Sequence, residues 1–87
     1  MDNSIRFKLV NAVTAYDRRQ STRKGYNRFA LGMYLGSVNR IAEEVDDGQS
    51  LRTAIAHNFC GRLLDVVLRS VGELASSNEE QQAMKAY

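Results

Sequence analysis

Apolar residues return every three or four positions along most of this 87-residue chain, and polar residues fill the places between them. That spacing is the 3.6-residue period of an α-helix with one buried face, and the alternation expected of half-buried strands is scarce. The first predicted helix runs from about residue 4 to 19, with Asn3 or Ser4 as its N-cap and Ile5, Leu9, Ala12, Val13 and Tyr16 as its stripe. Arg18 and Arg19 in its last turn complement the negative end of the helix dipole.

Residues 20–27 lose the period and bring the Ser, Gly and Asn of a loop. Asn27 then caps a second helix predicted over about 28–46, striped by Leu31, Tyr34, Leu35, Val38, Ile41, Ala42 and Val45 and ended by Gly48. Glu43, Glu44, Asp46 and Asp47 crowd its C-terminal end, where the dipole disfavours negative charge, so a basic neighbour is expected there. Ser50 caps a third helix predicted over about 51–74, with Leu51, Ala54, Ile55, Phe59, Leu63, Val66, Val67 and Ser70 along one face.

Gly61 falls inside that third stretch. Glycine costs about 1 kcal/mol relative to alanine in a helix interior, so its presence asks for a break in the helix or for close approach of a backbone or ligand. Around it, Leu63, Leu64, Val66, Val67 and Leu68 spread over roughly 200° of the helix, more than one packing face needs. In a short chain with a small core, this breadth points to a face shared with another copy. The expected fold is all-α: three main helices in a small antiparallel bundle over residues 1–74, assembled as a homo-oligomer. Residues 75–87 form a polar C-terminal tail, read as frayed or disordered.

Composition narrows the class. One Cys excludes an internal disulfide, and no apolar run reaches the roughly 20 residues of a membrane span, so a cytoplasmic protein is expected. One His and one Cys do not make a four-ligand zinc site, and no cofactor is expected. His57 and Cys60, three apart, share a helix face in this reading but lack a third residue to orient them, and no phosphate loop or nucleophile elbow is present. The expectation is a protein that is not an enzyme.

The net charge of +2 conceals a division. Residues 1–28 carry seven basic side chains against two acidic ones, while residues 29–87 carry five against eight. A basic head on an acidic body points to an anionic partner: a phosphate-bearing ligand, nucleic acid or an acidic protein surface.

Within that head, the thirteen residues from Tyr16 to Arg28 hold five cations and two tyrosines around a helix–loop–helix junction. Tyr16 and Tyr26 can stack a base, Arg23, Lys24 and Arg28 can hold phosphate, and Ser21, Thr22 and Gly25 offer small groups that let a ligand approach. The N-terminal N–H groups of the second helix are expected to face the same region. The same residues equally suit core-edge tyrosines with wet hydroxyls and a solvated basic loop. Gly61 with Arg62 is a second, weaker anion candidate, set against a pairing of Arg62 with Asp65 or with the second helix. A DNA-reading helix over residues 62–71 is disfavoured because it is mostly Leu and Val.

The basic, tyrosine-bearing junction, the segment Phe59-Cys60-Gly61-Arg62-Leu63-Leu64-Asp65 and the size together make the chain resemble small phage-encoded helical proteins, in particular the anti-CBASS sponges that sequester cyclic oligonucleotide signals of antiphage immunity. That resemblance covers about residues 4–74. It implies a compact hexamer holding cyclic dinucleotides between protomers by an aromatic stack and a basic phosphate contact, with separate pockets for cyclic trinucleotides. On it, Tyr16 or Tyr26 stacks the base, Arg23 or Lys24 holds phosphate, and Gly61 with Arg62 suits the second pocket. The alternatives are a phage or mobile-element protein that inhibits or adapts a partner protein by surface contact, and a nonspecific nucleic-acid binder using the basic first third.

Overall fold

The computed structural model describes residues 1–73, all-helical apart from loops and turns. Among the described residues four helices form where three were expected: α1 (Asn3–Gln20), α2 (Ala30–Asp46), α3 (Leu51–Asn58) and α4 (Gly61–Ser70). The tail expected over residues 75–87 lies outside the described residues.

Local hydrogen bonds mark most of the helix ends. Asp2, one residue before the expected cap, accepts a hydrogen bond from the Ser4 N–H at 2.8 Å and opens α1. Asn27 accepts from the Phe29 N–H through its side chain and from the Ala30 N–H through its carbonyl, making a turn that delays α2 to Ala30. Gly48, at φ +103°, ends α2 as expected: its own N–H bonds the Val45 carbonyl, and the Gln49 N–H reaches back to Glu44. This is the paired-bond closure for which a left-handed residue is needed.

The expected third helix is two helices. Phe59 and Cys60 are extended, with φ −133° and −140°, and Gly61 follows at φ +63°. Asn58 helps stop α3, because its side-chain amide donates to the Ala54 carbonyl at 2.8 Å and so competes with helix continuation. Of the two reasons considered for Gly61, the break holds: Gly61 starts α4. That helix also ends earlier than expected, at Ser70, through Gly72 at φ +72° and the same paired bonds, Gly72 to Arg69 and Glu73 to Leu68.

α1 and α2 lie antiparallel, since Arg6 bonds Asn39 near one end while Asp17 bonds Tyr26 near the other and Tyr16 meets Tyr34 between them. α1 also packs on α4, α2 on α3, and α3 on α4, closing a ring around one core. Leu9, Val13, Val38, Ile41, Ile55 and Val67 are its largest fully enclosed side chains among the described residues, as the helical stripes predict. Phe59 joins them although it stands outside any helix.

Leu64 and Val66 pack against this core from its edge, so the breadth of apolar surface on α4 is largely taken up inside the chain by α1 and α3. The large apolar side chains left exposed among the described residues are Phe7, Phe29 and Met33. The expected basic neighbour of the α2 C-terminus comes from within the chain: His57 Nδ1 lies 2.7 Å from Glu44 Oε1, and the Met1 amine pairs with Asp46.

Candidate functional site

The last turn of α1 brings Tyr16 and Gln20 to the junction, and the loop that follows curls back on them. Bonds from the Arg23 N–H to the Gln20 carbonyl and from the Tyr26 N–H to the Arg23 carbonyl make two successive turns, and Gly25 takes φ +82° within them. Tyr16, Gln20, Arg23, Lys24, Tyr26 and Asn27 thereby line one cavity of about 250 Å³, closed on the α2 side by Ala30 and Tyr34. Four of the predicted residues, Tyr16, Arg23, Lys24 and Tyr26, share this site.

The other three do not. Arg28 is absent from the lining, and its guanidinium lies 5.0 Å from the centre of the Phe29 ring, a cation–π arrangement that occupies it elsewhere. Arg62 lines a separate cavity of about 390 Å³ with Arg19, Asp65, Val66 and Arg69. Among the described residues Arg62 makes no ion pair with Asp65 or with α2. Gly61 belongs to none of these linings, and its left-handed backbone accounts for it without a ligand.

The Ser21 hydroxyl donates to the Arg18 carbonyl at 2.6 Å and that of Thr22 to the Arg19 carbonyl at 3.2 Å, so both close the end of α1 and are not free donors for a ligand. At the start of α2, Asn27 takes the Phe29 and Ala30 N–H groups, which reduces what that helix end offers an anion.

The Tyr26 hydroxyl donates to Asp17, 2.7 and 2.8 Å from its two carboxylate oxygens. Asp17 is buried in α1, so this bond satisfies a carboxylate withdrawn from water. The bond to Asp17 is the main reason the Tyr26 phenol is held above its ordinary value of 10.0, followed by desolvation and the carboxylate's charge. Tyr26 thus remains a neutral donor, and its ring is what it can offer to a ligand. Tyr34 is raised as well, first by burial and then by Tyr16, Asp17 and Cys60.

In the sequence Tyr34 reads as one position of the α2 apolar stripe, and Arg40 as an unremarkable polar one. Both line a larger cleft of about 640 Å³ that shares Tyr16 and Tyr34 with the junction cavity. The available signal was a tyrosine on each of two apolar stripes, whose polar tips need a wet edge. His57, paired in sequence with Cys60, is instead bonded to Glu44, while Cys60 lies exposed beyond the end of α3.

Among the described residues no group of three or more His, Cys, Asp and Glu could hold a metal ion, and no helix is long and apolar enough to cross a membrane. The arrangement at the junction offers cation, phenol ring and amide in a small concavity, the chemistry of anion and base binding. No family model, curated protein or solved structure matches the chain.

Proposed function

We propose that the chain is a non-enzymatic binding protein that sequesters an anionic nucleotide, most concretely a cyclic di- or trinucleotide signal, at the α1–α2 junction. The observation that carries this reading is the single cavity lined by Tyr16, Arg23, Lys24 and Tyr26. Arg23 and Lys24 supply charge-assisted hydrogen bonds to phosphate, and a tyrosine face supplies stacking of about 1–3 kcal/mol per base. At about 250 Å³ the cavity lies just below the usual small-ligand range of roughly 300–1,000 Å³, so it suits one phosphate and an adjoining ring, with the remainder of the ligand outside it.

The resemblance to anti-CBASS sponges extends the proposal to a phage protein acting in the host cytoplasm as a homo-oligomer. Exposed Phe7 and Phe29 supply apolar surface for self-association. Isothermal titration with a panel of cyclic di- and trinucleotides, beside duplex DNA at physiological salt, tests the binding claim. Uptake of a cyclic ligand, weakened in the Arg23→Ala/Lys24→Ala variant, supports it; an intact fold that binds none of the panel rejects it. Light scattering tests assembly, and a monomer at micromolar concentration rejects that part.

A second reading is a protein that inhibits or adapts a partner by surface contact. Phe29 and Met33, 66% and 63% exposed at the start of α2 beside Arg28, favour it. Capture of a partner that is lost on Phe29→Ser, with nucleotide binding absent, would select it over the first.

A further inference from the structure

We infer that the cleft between α2 and the α3–α4 junction, walled on its third side by Tyr16 of α1, is a second binding site, for a planar aromatic compound bearing one anionic group. Its volume of about 640 Å³ falls within the roughly 300–1,000 Å³ usual for small-molecule sites. Three rings form its apolar part. Tyr34 stands between Tyr16 and Phe59, with centroids 6.2 and 6.3 Å away and ring planes inclined at 68° and 69°. These are edge-to-face contacts, which a flat aromatic guest extends by further edge or offset contacts. Met33, on the rim, adds a thioether that adapts to such a guest.

Charge then selects among flat guests. Among the described residues Arg40 is the sole charged one in the lining, and no carboxylate of theirs shares the cleft with it. Its guanidinium donates to Ser37 Oγ at 3.3 Å and makes no ion pair among the described residues, which leaves donors of its planar fork for a bidentate acid group. The hydroxyls of Tyr16 and Tyr34 make no hydrogen bond among the described residues either, so they too can meet polar edges of a guest. A cationic aromatic of the same shape meets the Arg40 guanidinium directly and is repelled, while the carboxylate of Asp17, whose charge reaches Tyr34, lies outside the lining and is held by the Tyr26 hydroxyl.

Cys60 lies on the cleft wall, is exposed, and is the chain's one cysteine, so its reactivity reports occupancy. The full chain is treated with a neutral maleimide, and Cys60 labelling is followed by mass spectrometry with naphthalene-2-sulfonate or with 2-naphthylmethylammonium present. Protection follows 1 + [L]/Kd, so the sulfonate is expected to slow labelling about tenfold at roughly ten times its Kd, whereas the ammonium has little effect. Arg40→Gln, an exposed change that leaves the melting curve in place, is expected to keep the ligand-free labelling rate and to lose most of the sulfonate's protection.

An unchanged labelling rate at millimolar sulfonate, equal protection by sulfonate and ammonium, or full protection in Arg40→Gln would each overturn the inference. It does not rest on nucleotide binding at the junction, which depends on Arg23 and Lys24. The Arg23→Ala/Lys24→Ala variant retains sulfonate protection if the two sites are separate as inferred, and its loss would count against this second site.

Discussion

The phenol of Tyr26 closes the α1–α2 loop by donating to the buried carboxylate of Asp17, nine residues earlier in the chain. With the backbone turns at Arg23 and Tyr26, this bond holds the Tyr26 ring in the cavity that Arg23 and Lys24 also line, so it links loop order to site geometry. Tyr26→Phe keeps the ring but leaves Asp17 without that donor. It is expected to lower the melting temperature at neutral pH and to weaken nucleotide uptake less than Tyr26→Ala does. The pH dependence has a definite sign. Because the folded phenol titrates above its ordinary 10.0, the contribution of this bond is complete below that value and is lost as pH rises through the folded pKa. Melting temperature followed into alkali should therefore fall more steeply for the native chain than for Tyr26→Phe.

Gly61 yields a prediction whose direction depends on the break between α3 and α4. In the interior of a continuous helix, alanine at this position would stabilise by about 1 kcal/mol. At φ +63° it is instead expected to destabilise by about 1–2 kcal/mol, the left-handed penalty for a residue with a Cβ. The added methyl meets no heavy atom within 4 Å, so the cost belongs to the backbone alone. Urea unfolding of Gly61→Ala measures it, and a gain in stability would contradict the break.

That break also shows where sequence reasoning stops. Ile55, Phe59, Leu63 and Val67 keep a four-residue spacing straight through it, so periodicity runs on where the backbone does not. One group that helps make the break is the Asn58 amide, bonded to the Ala54 carbonyl and to Glu44 Oε2, and half of that arrangement is tertiary. Gly48 was legible as a helix end because polar residues surround it, whereas Gly72 lay unread between Val71 and Glu73. That Tyr16, Arg23, Lys24 and Tyr26 come together was legible because they are neighbours in sequence. The fold brings Tyr34 and Arg40 to the adjoining cleft from positions whose local pattern marked only a helix.

Ile55 and Phe7 separate the core from the exposed apolar surface. Ile55 is fully enclosed, and Ile55→Ala is expected to cost about 2–5 kcal/mol, a large part of the roughly 5–15 kcal/mol that holds a small domain folded. Phe7 is 67% exposed, and Phe7→Ala is expected to change the stability of an isolated chain by no more than about 0.5 kcal/mol. If Phe7 contributes to self-association, its substitution reduces the mass seen by light scattering while the dilute-chain unfolding midpoint stays in place. Chemical unfolding of both variants, with light scattering of the second, distinguishes the two kinds of burial.

Acid stability should depend on Glu44. Its two carboxylate oxygens are 2.7 Å from His57 Nδ1 and 2.6 Å from Asn58 Nδ2, fastening the last turns of α2 to the end of α3. The hydrogen bond from His57, then that from Asn58, holds the carboxyl below its ordinary 4.5 against a smaller opposing effect of desolvation. A carboxyl whose folded pKa is depressed contributes stability that is present above the unfolded value and lost as pH falls through the folded one. Glu44→Gln retains an oxygen acceptor but does not titrate. The native chain is therefore expected to lose melting temperature more steeply than Glu44→Gln as pH falls below 4.5. At neutral pH the variant should melt lower, because the charge on the acceptor is gone. Thermal melts of both chains from neutral pH into acid test this, and parallel curves would show that Glu44 is not coupled to folding through these bonds.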